Sequence, residues 1–188
     1  MRIAHLSDLH MLALEGAVPW RLLNKRATGW VNLRFRRKHT HRAELVRETL
    51  REIARAEVDH VVITGDVTNL ALEAEFELVR DTLAEHLSVG PDAVTLVPGN
   101  HDVYTSGAAK ARRFERYFEP YLKSDPAFAT GDSPFPVVKL RGHVAFIGLS
   151  SAVPQPPMVA AGRLGAPQLD ALSRVLEHPE VRDRAGVI

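Results

Sequence analysis

The 188-residue chain contains no cysteine. That excludes disulfides, thiolate metal sites and a cysteine nucleophile, and it fits a reducing cytoplasm. The sequence also lacks any uninterrupted apolar run of the roughly 18 residues that a membrane-spanning helix requires. Its opening, MRIAHLSDLH, is interrupted by polar residues, so no secretory signal is expected there. Internal repeats, low-complexity tracts and a dividing linker are all absent, and residues 1–188 read as one domain. A hydrophobic fraction of 45% and a charged fraction of 25% are those of a soluble chain that buries a core, which excludes disorder.

One stretch lacks charge of one sign. Between Pro19 and Arg42 lie eight Lys and Arg residues and no acid. The remaining 16 bases face 23 acids, so a mildly acidic domain of net charge −7 carries one concentrated basic segment. Trp20, Leu22, Leu23, Trp30, Val31, Leu33 and Phe35 interleave with the bases. Three readings compete for residues 19–42: a helical cap over the mouth of a site, an electrostatic attractor for an anionic substrate, and a helix lying on an anionic membrane surface. The last would make the protein peripheral to a membrane. No nucleic-acid motif is present.

The hydrophobic pattern predicts strands over 1–6, 61–64 and 93–97, and helices over 43–57, 72–87 and 108–121. Strands at 136–140 and 144–149 are joined by Arg141-Gly142, a hairpin signal. A Pro/Gly-rich loop over 154–165 precedes a helix over 168–178, with Pro167 suited to its first turn. Val187-Ile188 read as the opening of another strand. Strands alternating with helices give an α/β fold, and the hairpin makes its sheet mixed rather than purely parallel.

In such sheets ligands gather where loops leave the carboxyl ends of the strands. Three of those ends carry chemistry: Asp8-Leu9-His10, Gly65-Asp66 and Gly99-Asn100-His101-Asp102. Together they supply carboxylate, imidazole and amide ligands, a mixed set suited to Mn, Fe or Zn and less well to Mg. Asp8, Asp66 and Asp102, if crowded together, would repel unless a cation lay between them. Gly65 and Gly99 would let the backbone turn sharply beside such an ion. Each motif alone is weak; the set in this order, each member closing a predicted strand, is specific.

These three blocks, in the settings IAHLSDLH, VVITGDVTN and LVPGNHD, resemble the first signature blocks of the calcineurin-like metallophosphoesterases, in particular their bacterial phosphodiesterase branch. The resemblance covers nearly the whole chain. It implies a four-layer αββα sandwich, mixed sheets flanked by helices, with two divalent or transition metal ions bound between the sheets. It implies that Asp8 and His10 bind the first ion, Asp66 bridges both and Asn100 binds the second. His101 would stand beside the phosphate as the catalytic donor, and Asp102 and Asn69 would support the ligands from behind. The implied activity is hydrolysis of a phosphate ester, most specifically a diester, by in-line attack of a metal-bridged hydroxide.

Relatives of this kind continue with a His-bearing loop and a Gly-His-x-His block, and no Gly-His-x-His occurs in this sequence. His143 follows a glycine but sits at the hairpin, and His39 and His41 lie in the basic segment. His5, His60, His86 and His178 read as structural or exposed. The chain is therefore expected to be the N-terminal portion of a longer enzyme, one that binds one ion well and the second poorly. The rival reading is a catalytically weak or inactive binding protein of this fold that acts through its basic segment on a lipid, nucleic acid or protein.

Overall fold

Strand β2 (His60–Thr64) is built from β-branched residues that favour the extended backbone, and it forms the centre of a three-stranded parallel sheet. Strand β1 (Ile3–Leu6) pairs with it on one side in the register Ile3 to His60, and β3 (Val94–Val97) on the other in the register Val61 to Val94. Parallel neighbours need crossovers, and helices α1 (Thr40–Arg55) and α2 (Glu73–His86) supply them. Both lay an apolar stripe on one face of the sheet. Val46, Leu50, Phe76, Val79 and Leu83 are buried in one cluster with Val61, Ile63, Val94 and Leu96. Each such side chain is worth about 1.5–3 kcal/mol on leaving water. The computed structural model describes residues 1–15, 40–125, 128, 133–156, 159 and 161–188.

The hairpin does not join this sheet. Strands β4 (Val137–Arg141) and β5 (Val144–Gly148) pair antiparallel, and β6 (Gly186–Val187) adds to β5 in parallel, making a second, mixed sheet. The reason lies in their two apolar faces. Val138 and Ala145 pack against Val175 and Val181 of helices α5 (Ala166–Glu177) and α6 (Pro179–Arg182), whereas Val137 joins the first cluster. A strand buried on both faces needs a layer on each side. The first sheet is one of those layers: His60 stacks on Phe146 with ring centroids 3.8 Å apart. A Cβ on Gly148 would lie 3.0 Å from Val97 Cγ1, so β5 and β3 approach closely there. The fold is α/β, two sheets face to face with helices outside them, as the resemblance implies. The expected final strand is present as β6, with pairing that runs on through Ile188 to Ala145 and Ile147.

The helix predicted over 108–121 is three short pieces instead: α3 (Ser106–Lys110), α4 (Arg113–Tyr117) and a 3-10 turn, Glu119–Leu122. Arg112 interrupts it in the left-handed region at φ 46°, and Pro120 fixes the first turn of the last piece. The bends turn Phe114, Phe118, Tyr121 and Leu122 into the first core, where Phe118 meets the ring of Phe76 at 6.0 Å.

Among the described residues no helix is long and apolar enough to cross a membrane. The basic segment 19–42 lies outside the described residues, apart from the start of α1, and so do His39 and the side chain of His41.

Candidate metal centre

Beyond their strands, the first two loops stay in register. Asp8 N donates to Gly65 O at 3.2 Å, His10 N to Asp66 O at 2.9 Å and Met11 N to Val67 O at 2.9 Å. The loops are nevertheless strained. Asp8, His10 and Asp66 have φ of 57°, 44° and 51°, three of the six non-glycine residues with positive φ among the described residues. The left-handed conformation costs an L-residue about 1–2 kcal/mol, and such strain concentrates where the surrounding structure is committed to a function. Gly65, at φ 82°, and Gly99 admit no side chain at all. A Cβ on Gly65 would sit 2.4 Å from Gly99 N, and one on Gly99 would sit 2.2 Å from Asp66 Oδ1.

This packing brings three side chains to one point. One ligand atom each from His10, Asp66 and His101 lie within 4.8 Å of one another. The imidazoles of His10 and His101 meet edge to face at 4.9 Å. Asp8 Oδ1 is 3.5 Å from His10 Nε2, so Asp8 flanks the group from its exposed side. Asp66 Oδ1 also accepts from His101 N at 2.8 Å. Asn100 is half-buried on the same loop, one residue before His101.

The state of His101 follows from its neighbours. Its Nδ1 lies 2.7 Å from Asn69 O. A carbonyl only accepts, so Nδ1 carries a hydrogen and donates, and Nε2 is the nitrogen left for another partner. Asn69 Nδ2 in turn donates to His10 O, which ties the first and third loops together through the second. The ring of Tyr104 lies flat on His101 at 5.2 Å and 21°.

Asp102 is not one of the three side chains that meet at the cluster. It is buried and accepts from Thr68 N, Thr68 Oγ1 and Gly99 N, each at 2.9 Å, and from Val67 N at 3.4 Å. Burial pushes its carboxyl up to about 6 against the pull of the Gly99 and Thr68 donors, and the charge of Asp66 pushes the same way as burial. Asp102 is thus a clamp between the second and third loops.

The sequence reading missed Thr68, Tyr104, Glu75 and Arg113. Glu75 Oε2 accepts from Leu70 N at 2.8 Å and Leu72 N at 3.1 Å, and Arg113 Nη1 donates to Ala71 O at 2.8 Å. Between them they hold the loop after Asp66. The acid three residues into α2 was readable as a capping signal; Arg113, 42 residues along the chain from Ala71, gave no local sign. The other described histidines lie elsewhere. His60 is buried between the sheets, His5 bonds Thr64 Oγ1, His86 sits beside Glu85, His178 caps α6 and His143 is exposed at the hairpin.

Nitrogen and oxygen ligands of this kind, held by strained loops at the carboxyl edge of a parallel sheet, fit a divalent cation in donor chemistry and in mutual distance. They make a candidate metal site at the strand ends of an α/β fold. The profile of the calcineurin-like phosphoesterases matches residues 1–180, and the chain belongs to that family. A search of curated proteins gave no match. Family membership carries metal-dependent hydrolysis of phosphate esters.

Proposed function

We propose that this chain is a phosphodiesterase with two metal ions, Mn, Fe or Zn rather than Mg. The observation that supports it is the convergence of His10, Asp66 and His101 at the strand ends. In this reading Asp8 and His10 hold one ion, Asp66 bridges, and Asn100 serves the other. Bound there, the ions would supply Lewis acidity, drawing charge off the phosphoryl oxygens and easing deprotonation of the attacking water.

The chain's own residues supply the rest. His101 is oriented by Asn69 O, which holds Nδ1 and leaves Nε2 as the nitrogen that would meet the phosphate. Protonated at Nε2, His101 donates to a phosphoryl oxygen or to the departing alcohol. Asp102, Asn69 and the two glycines keep the ligands from relaxing away from the ion.

The test is release of nitrophenolate from bis(4-nitrophenyl) phosphate and from 4-nitrophenyl phosphate, with Mn²⁺ and with chelator, alongside elemental analysis of the purified chain. The expected result is turnover of the diester in preference to the monoester, abolished by chelator. Asp66→Asn should lower both rate and bound metal by at least about tenfold. Monoester preference would overturn the phosphodiesterase reading, and full metal content in Asp66→Asn would overturn the assignment of Asp66.

A further inference from the structure

A cleft reaches the centre at Asp8. It lies between the end of β1 and the second and third turns of α1 and holds about 310 Å³. Leu6, Leu9, Leu45, Val46 and Leu50 form most of its wall. Among the described residues its polar groups are few and unevenly placed. On the helix side only Thr49 contributes a hydroxyl, and that group is already spent on Leu45 O at 2.8 Å. On the loop side stand Ser7 and Asp8, with the Ser7 hydroxyl donating to Asp8 Oδ2. The cleft therefore has one charged end, and the carboxylate there is the one that lies 3.5 Å from His10 Nε2.

A space apolar along its length and anionic only where it meets a candidate cation site has the polarity of an amphiphile. Its volume falls at the lower end of the range for small-molecule sites. The charged end is unfavourable for a free carboxylate or phosphate until a cation neutralises Asp8. With that cation in place, the same end takes the head of a phosphate ester and the Leu-lined remainder takes its organic group. Leu45 supports this orientation. It is 66% exposed on α1, at odds with the burial of its neighbours Val46 and Leu50, and it stands where it would cover an apolar ligand rather than the core.

We infer that the cleft is the subsite for an apolar alcohol portion, alkyl or aryl, of the phosphate ester, so that the enzyme selects esters with such a group over those of small polar alcohols. The inference deepens the phosphodiesterase reading and rests on it for the position of the phosphate. Each methylene taken from water into the cleft is worth about a three- to fourfold gain in affinity.

The experiment uses non-hydrolysable phosphonates on the full chain, read by NMR of methyl-labelled Leu and Val residues, with and without Zn²⁺. With Zn²⁺, hexylphosphonate should bind at least about tenfold more tightly than methylphosphonate and shift the methyls of Leu45, Val46 and Leu50. Leu45→Asp, an exposed position, should remove the dependence on chain length, and Thr49→Trp, which fills the cleft from another side, should do the same. Equal affinity for the two phosphonates, or shifts elsewhere than at these methyls, overturns the inference. Shifts at the three methyls that are identical with and without Zn²⁺ leave the apolar subsite standing and instead count against the metal-centred reading of the reaction.

Discussion

Gly99 is the residue on which the centre's geometry turns. Any side chain there meets Asp66 at its amide, 2.4 Å away, and at its carboxylate, 2.2 Å away. Gly99→Ala should therefore displace Asp66, and titration with Mn²⁺ should show metal affinity reduced about 10- to 100-fold. Asp102→Asn acts on the clamp instead. Three donors at 2.9 Å converge on the two oxygens, and an asparagine keeps one oxygen while turning an NH₂ toward an amide. Urea denaturation should show a loss of about 2–3 kcal/mol, the cost of buried donors left without acceptors. At this scale the candidate site was legible because the residues that approach an ion sit next to Gly65 and Gly99, at the ends of recognisable strands. The distinction between Asp66, which faces the cluster, and Asp102, which faces amides, came from the family resemblance and not from the residues themselves. It depends on which loops the fold brings together, and the two residues look alike in the sequence.

Among the elements, the break between α3 and α4 differs most from the sequence pattern. The apolar spacing over 108–121 is helical, and nothing in Ala-Arg-Arg-Phe marks a stop. The stop comes from tertiary packing: with the axis bent, Phe118 reaches the ring of Phe76 on α2 and Phe114 packs on Phe118. Arg112 absorbs the bend at φ 46°, and its pairing with Glu115, 3.9 Å away, is half-exposed and worth little. Arg112→Gly should relieve about 1–2 kcal/mol of backbone strain and return part of it to the more flexible unfolded chain. The expected net gain is about 0.5–1 kcal/mol, read as a higher urea midpoint at unchanged slope. A lower midpoint would mean that the arginine's side-chain contacts outweigh the strain. The strands were easier to read than this helix, since β-branched runs bounded by Gly, Pro and Asn carry their own limits. Their assignment to two sheets was not readable, because it depends on what covers each face.

Across the whole molecule, the seam between the sheets is unusually polar. His60 and Lys139 are fully buried there. Lys139 Nζ donates to Pro91 O at 2.5 Å and Val94 O at 2.6 Å, and so pins β4 to the start of β3. His60 Nε2 pairs with Thr95 Oγ1 at 2.9 Å. Burial, then the charges of Lys139 and Arg141, lower His60 to about 4. Burial and Arg141 lower Lys139 to about 8, partly opposed by Asp92 and Asp125. Both groups bind their protons more weakly folded than unfolded, so both make folding stability fall as pH falls, in two windows. For His60 the unfolded chain takes up a proton below its ordinary value near 6.5 while the folded chain does not until about 4. Stability should drop between those limits by up to about 3 kcal/mol. For Lys139 the same loss runs from 10.5 down to about 8, so at neutral pH it has already occurred. Urea denaturation from pH 4 to pH 10 should separate the two. His60→Phe should flatten the acid limb while leaving the alkaline one. Lys139→Met should abolish the rise in stability between pH 8 and pH 10, whatever it does to stability at pH 7, where the freed Pro91 and Val94 carbonyls oppose the gain from removing a buried charge. Persistence of both limbs in both variants would place the pH dependence outside the seam.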